Sequence, residues 1–149
     1  MEALDLFYCY RDDVYRLAVS YTRNHQEAED VCQTVFLKLL EQDSITPGKE
    51  KAWLMQVTAN QCRSLLRSHW WKFTVPLDDA ILTPDQENGV SHAVMALSPK
   101  YRVVVYLHYY EQYSTAEIAR MLKITPTAVT TRLSRARQQL RHLLEEDDP

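Results

Sequence analysis

The sequence predicts an all-α protein built as two small helical domains joined by a flexible acidic linker, the second domain a helix-turn-helix. Three observations carry this. Apolar residues recur at spacings of three and four through most of the chain. Only two glycines, Gly48 and Gly89, occur in 149 residues, too few for a sheet with tight hairpins or for a glycine-rich phosphate loop. Three hydroxyl residues stand where helices would be capped, two of them followed directly by proline: Ser98-Pro99, Ser114 and Thr125-Pro126.

The first helix spans about residues 4 to 23, where Leu6, Phe7, Tyr10, Val14, Leu17, Ala18 and Tyr21 form one stripe. Asn24 and His25 interrupt it. A second helix, about 26 to 42, carries Ala28, Val31, Cys32, Val35 and Leu39, and ends in the polar stretch 43–48 containing Pro47. A third, about 50 to 73, places Leu54, Val57, Thr58, Gln61, Cys62 and Leu65 inward. Together they make one small bundle, residues 1–73. Between Thr74 and Pro84 periodicity lapses, and Pro76, Asp78, Asp79 and Pro84 suit an extended connector. Its eleven residues reach at most about 36 to 40 Å, comparable to one turn of duplex DNA.

The second domain, residues 85–144, begins with a helix at about 85 to 97 carrying Val90, Val94 and Leu97. Ser98-Pro99 opens a helix through about Glu111 that buries Val103, Val104 and Leu107. Ser114 and Glu117 form a capping box for a short helix with Ile118, Ala119 and Leu122. After a turn at Lys123 to Thr125 comes the last helix, with Val129, Leu133, Ala136, Leu140 and Leu144 buried. Residues 145–149 form an acidic tail.

Charge is unevenly spread beneath a net −3. Residues 1–75 balance at 9 basic against 10 acidic; 76–97 hold four acids and no Lys or Arg; 98–144 hold 8 basic against 2 acidic, or +6. A basic unit of this size is the electrostatic footprint of a nucleic-acid binder, since phosphate neutralisation releases counterions. A solvated helix face gives the same count.

On the last helix, Thr127, Thr131, Ser134, Arg135 and Gln138 project outward, flanked by Arg132 and Arg137. Short hydroxyl side chains let a helix approach base edges, while arginines pair with guanine or hold phosphate. On the third helix, Asn60, Arg63, Arg67, Trp70 and Trp71 share a face on which basic and aromatic groups alternate, suited to locally opened DNA; paired tryptophans equally serve as core. The second helix presents Asp30 and Gln33 beside Phe36, Leu37 and Leu40, either an apolar strip for a protein partner or a wide core stripe. No apolar run approaches 18 residues, Glu2 and Asp5 stand where a signal peptide would need bases, and a cytoplasmic protein without membrane insertion is expected. Three cysteines without C-x-x-C spacing and five histidines with no close pair argue against a metal site or thiol enzyme; no metal, cofactor or catalytic residue is expected.

Residues 28–36 (AEDVCQTVF), Trp53-Leu54 followed by Thr58-Ala59-Asn60, and residues 129–137 (VTTRLSRAR) resemble the extracytoplasmic-function (ECF) sigma factors of bacteria, in order and over nearly the whole chain. The resemblance implies a promoter-specificity subunit that binds core RNA polymerase, its first domain opening and reading the −10 element and its last reading the −35 element. It implies that Asp30, Gln33, Phe36 and Leu37 face the polymerase clamp helices, that Asn60 and Arg67 face the melted −10 strand, and that Thr131, Arg132 and Arg135 occupy recognition-helix positions. An anti-sigma protein is a usual partner in the family. Ser64 and Thr130 depart from the family's frequent Asp and Lys, so promoter preference does not transfer. The competing reading is a stand-alone helix-turn-helix regulator acting as a symmetric dimer.

Overall fold

The computed structural model describes residues 2–68 and 89–146. Among them every regular element is helical, as the scarcity of glycine and the apolar periodicity predict. The chain divides into two compact units, Met1–Pro76 and Leu77–Pro149. The expected linker, 74–84, lies outside the described residues, as do Trp70, Trp71 and most of the tail.

Unit 1 contains α1 (Ala3–Thr22), α2 (His25–Leu40) and α3 (Glu50–Ser68). Arg23 ends α1 in the left-handed conformation at φ 55°, its N–H donating to the Val19 carbonyl at 2.9 Å. Asn24 then starts α2, its side chain accepting the Glu27 N–H at 2.9 Å. Of the polar pair expected as a mere interruption, Asn24 is thus the N-cap of α2 and His25 its first residue. This two-residue reversal lays α2 back along α1, so that Phe7 and Phe36 meet edge to face at 4.4 Å between centroids. Val14, Leu17, Val31, Val35 and Leu54 fill the centre.

The buried face of α3 is turned from the predicted stripe toward Met55 and Ala59. Met55 and Ala59 are fully buried beside Leu54, Thr58 and Cys62, whereas Val57, Gln61 and Leu65 are half-buried. Its polar members are satisfied: the Thr58 hydroxyl donates to the Leu54 carbonyl at 2.6 Å, and Gln61 accepts from Lys38 Nζ at 3.1 Å, tying α3 to α2.

Unit 2 contains α4 (Gly89–Ala96), α5 (Pro99–Val105), a π-helical turn (Tyr106–Tyr110), α6 (Thr115–Leu122) and α7 (Pro126–Glu146). Pro99 is the first helical residue after Ser98, as predicted, but the Ser98 side chain makes no capping hydrogen bond. The continuous helix expected through Glu111 instead loosens after Val105 into the π turn. Val94, Leu97, Tyr101, Val105 and Ala136 form one apolar cluster, with Leu140 and Leu143 packed partly against it. Arg102 is buried there at 1% exposure, its Nη1 donating to the Leu97 carbonyl at 2.6 Å.

Candidate nucleic-acid interface

The geometry of α6 and α7 follows from local chemistry at two caps. Ser114 Oγ accepts the Glu117 N–H at 3.1 Å while Glu117 Oε1 accepts the Ser114 N–H at 3.0 Å, the reciprocal capping box expected from the spacing. Lys123 closes α6 in the left-handed region at φ 59°. Thr125 Oγ1 then accepts the Ala128 N–H at 3.0 Å, starting α7. Burial of Ile118, Leu122, Val129 and Leu133 fixes how the two helices cross, and this pairing of a short capped helix, a three-residue turn and a long basic helix is a helix-turn-helix.

The Ser114 bonds hold the Glu117 carboxyl below its ordinary value, because hydrogen bonds to the charged form favour it. A lowered folded pKa contributes stability above the unfolded value of about 4.3, and that contribution is lost as pH falls through the folded pKa. Glu117→Gln, which removes the titrating carboxylate, is therefore expected to destabilise the fold at neutral pH, with the gap to wild type narrowing below about pH 4. Thermal melts of both chains from pH 7 to pH 3 check this.

On α7, Thr127, Ser134, Arg135 and Gln138 are exposed, as expected of a groove-facing surface, and Thr131 and Arg132 are half-buried. Val129, Leu133 and Ala136 occupy the opposite side with essentially no exposure. Arg137, read from sequence only as a flanking cation, is tied through its Nε to the Tyr109 hydroxyl at 2.7 Å. Sequence reasoning did not single out Tyr109; a contact across 28 residues leaves no periodic trace.

In unit 1 the exposed face of α3 carries Asn60, Arg63 and Arg67, the first two half-buried and the third exposed. Arg63 Nη2 donates to Asn60 Oδ1, so the oxygen of the Asn60 amide is engaged within α3 and its N–H groups are the side chain's donors. Trp70 and Trp71, assigned to the same face, lie outside the described residues.

The outer face of α2 is distinct from this one. Leu37 and Leu40 are 61% and 68% exposed, and Asp30 and Gln33 are exposed beside them. Phe36 is a correction: expected on this strip, it is buried, because α2 packs against α1 on that side and Phe7 covers the ring. Cys62 is fully buried and Cys32 half-buried. Desolvation, with the Glu29 charge second, pushes the Cys32 thiol up to about 11, and burial drives Cys62 up as well, so neither is a thiolate nucleophile at neutral pH. Among the described residues no group of three His, Cys, Asp or Glu could hold a metal ion, and no helix is long and apolar enough to cross a membrane.

Comparison with known proteins places both units. Residues 6–72 match the Sigma-70 region 2 family and residues 88–140 the Sigma-70, region 4 family. The ECF RNA polymerase sigma factor SigW of Bacillus subtilis is 25% identical, over 95% of this chain and 88% of its own. The ECF RNA polymerase sigma factor SigL of Mycobacterium tuberculosis is 30% identical, over 89% of this chain and 83% of its own. The sigma factor RpoE of Bartonella quintana, solved in complex with the anti-sigma factor NepR, superposes with a TM-score of 0.75 at 25% identity, covering 93% of this chain and 94% of that one. With a Sigma-70 region 2 first domain and a region 4 second domain matched in order, the chain belongs to the ECF sigma factors, subunits that direct RNA polymerase to initiate transcription.

Proposed function

We propose a division of labour in which residues 1–73 dock on core polymerase and read the −10 element, residues 74–84 form the connector, residues 85–144 read the −35 element, and 145–149 are an acidic tail. Asp30, Gln33 and Leu37 form the polymerase-facing surface, with Phe36 supporting it from beneath. Asn60, Arg63, Arg67, Trp70 and Trp71 face the opened −10 strand. Thr127, Thr131, Arg132, Ser134 and Arg135 face the −35 groove. One observation carries this reading over a stand-alone regulator: unit 1 holds an exposed apolar strip on α2, Leu37 and Leu40, apart from a polar face on α3 that carries Asn60, Arg63 and Arg67. A repressor needs only the helix-turn-helix.

The physical logic is avidity. Two weak readers on one platform raise each other's effective concentration, so each alone holds DNA only weakly. The protein acts in the cytoplasm without catalytic chemistry of its own. A protein partner that covers the α2 strip would block assembly with polymerase, and an anti-sigma protein of the kind bound to RpoE in its solved complex fits that role.

Run-off transcription with core polymerase on a genomic promoter library separates the parts. Asp30→Arg is expected to weaken core binding, Asn60→Ala to slow promoter opening without changing core affinity, and Arg132→Ala to reduce discrimination at the upstream element. One good base contact is worth about 1 to 3 kcal/mol, or roughly 5- to 150-fold in relative promoter use. Three indistinguishable profiles would refute the assignment.

A further inference from the structure

The π turn at Tyr106–Tyr110 aims a tyrosine at the recognition helix. A π turn rotates the side chains that follow it away from their α-helical directions. Leu107 stays fully buried, while Tyr109 and Tyr110 stand half-exposed at 50% and 56%. Local partners hold the turn: the Tyr106 ring stacks on Tyr110 at 6.2 Å, the Tyr106 hydroxyl donates to Glu111 Oε1 at 2.6 Å, and the His108 ring meets Tyr109 edge-on at 5.0 Å. Tyr109 is thereby placed to accept the hydrogen bond from Arg137 Nε at 2.7 Å, with the guanidinium carbon 5.9 Å from the ring centroid. That last distance is at the edge of cation–π range, so the hydrogen bond is the stronger tie.

What the pairing leaves over is informative. A guanidinium has five N–H donors in a rigid fork. Engaging Nε orients the plane and leaves the Nη groups, and the phenol, acting as acceptor, keeps its own O–H to donate. The result is an exposed cluster of donors carrying a positive charge, whose rotamer freedom is already reduced before any ligand arrives. Such a cluster matches an acceptor-only anion. On the helix, Arg137 lies about 80° round from Val129, on the flank with Thr130 and Arg141 rather than at the centre of the exposed face. A flank residue of a helix seated in the major groove meets the bordering backbone, not base edges.

We propose that Tyr109 and Arg137 form a clamp for a DNA backbone phosphate beside the groove that α7 enters, with Tyr109 the positioning residue. The clamp rests on the reading that α7 enters DNA. It would add affinity and register without sequence preference.

The test is fluorescence anisotropy of the full chain on short mixed-sequence duplexes across a series of low salt concentrations, with melting temperature measured in parallel. Arg137→Ala is expected to weaken binding equally on every duplex and to make the log K against log salt slope shallower by about 0.9, one lost phosphate contact. Tyr109→Phe keeps the ring and removes the hydroxyl; it is expected to weaken binding by about 3-fold with unchanged melting, and to have no further effect in an Arg137→Ala background. Tyr109→Phe binding like wild type, multiplicative effects in the double variant, or a lower melting temperature with an unchanged slope would each overturn the clamp and leave Tyr109 a structural tie. Arg135→Ala distinguishes the levels: if it weakens binding while Tyr109→Phe and Arg137→Ala do not, the clamp alone fails. If all three bind like wild type, the placement of α7 in DNA fails with it.

Discussion

Leu37→Asp is expected to abolish assembly with core polymerase while leaving the melting of the free protein unchanged. Leu37 is 61% exposed, so its side chain gives little to folding, and surface substitutions of this kind fall within about 0.5 kcal/mol. At the centre of a protein interface the same leucine would be desolvated, and an aspartate there would bury a charge without a partner. Loss of a central contact costs about 2 to 4 kcal/mol, roughly 30- to 700-fold in affinity. Phe36→Ala is the informative contrast. Phe36 is buried against Phe7 at 4.4 Å, so its truncation should lower stability by about 3 kcal/mol or more and reduce polymerase binding through the fold. Titration of labelled chain with core polymerase, beside thermal melts, separates the two; equal core affinity for wild type and Leu37→Asp would remove α2 from the interface.

That contrast also marks how far periodicity reaches. The stripe on α1 was legible without the structure: Leu6, Val14, Leu17, Ala18 and Tyr21 are buried on one face, with Phe7 and Tyr10 half-buried at its edge. The capping box at Ser114 was equally legible, since its two partners are three residues apart and nothing distant competes for them. Phe36 was misplaced because α2 touches two helices. Lys38 reaches α3 on one side through Gln61 and Phe36 reaches α1 on the other, so the buried arc is wider than one stripe. Met55 and Ala59 were missed on α3 because its buried face is turned toward them and away from Val57 and Gln61. On α7, Thr127, Ser134, Arg135 and Gln138 are exposed where 100° steps place them and Thr131 is half-buried, whereas Tyr109 was not foreseen, because the π turn shifts its direction and its partner lies 28 residues away.

Arg102 escaped notice on different grounds, and it carries the largest stability prediction. In sequence it reads as one more cation of a basic domain, yet it sits among Tyr101, Val103, Val104 and Val105, all buried, and is itself 1% exposed. Its Nη1 donates to the Leu97 carbonyl, just past the C-terminal end of α4, at 2.6 Å. A cation at a helix C-terminus satisfies carbonyls that have no intrahelical partner and complements the dipole. Its long stem is buried as well and fills volume in the unit. Arg102→Ala removes that volume and strips the Leu97 carbonyl of this donor, together worth roughly 3 kcal/mol. For a domain of about 60 residues that is a large part of the total stability and lowers the melting temperature by more than about 10 °C. Arg102→Met, which restores volume without charge, should recover part of the loss, since an apolar replacement of a buried ionic group is often tolerated. Calorimetry should place the damage in the unit 2 transition alone, and −35 dependence should fall while core binding through α2 persists. Arg135→Ala, on the exposed side of α7, should do the reverse within that unit, losing DNA recognition with melting intact. If Arg102→Ala melts like wild type, the buried guanidinium is not what joins α4 to α5.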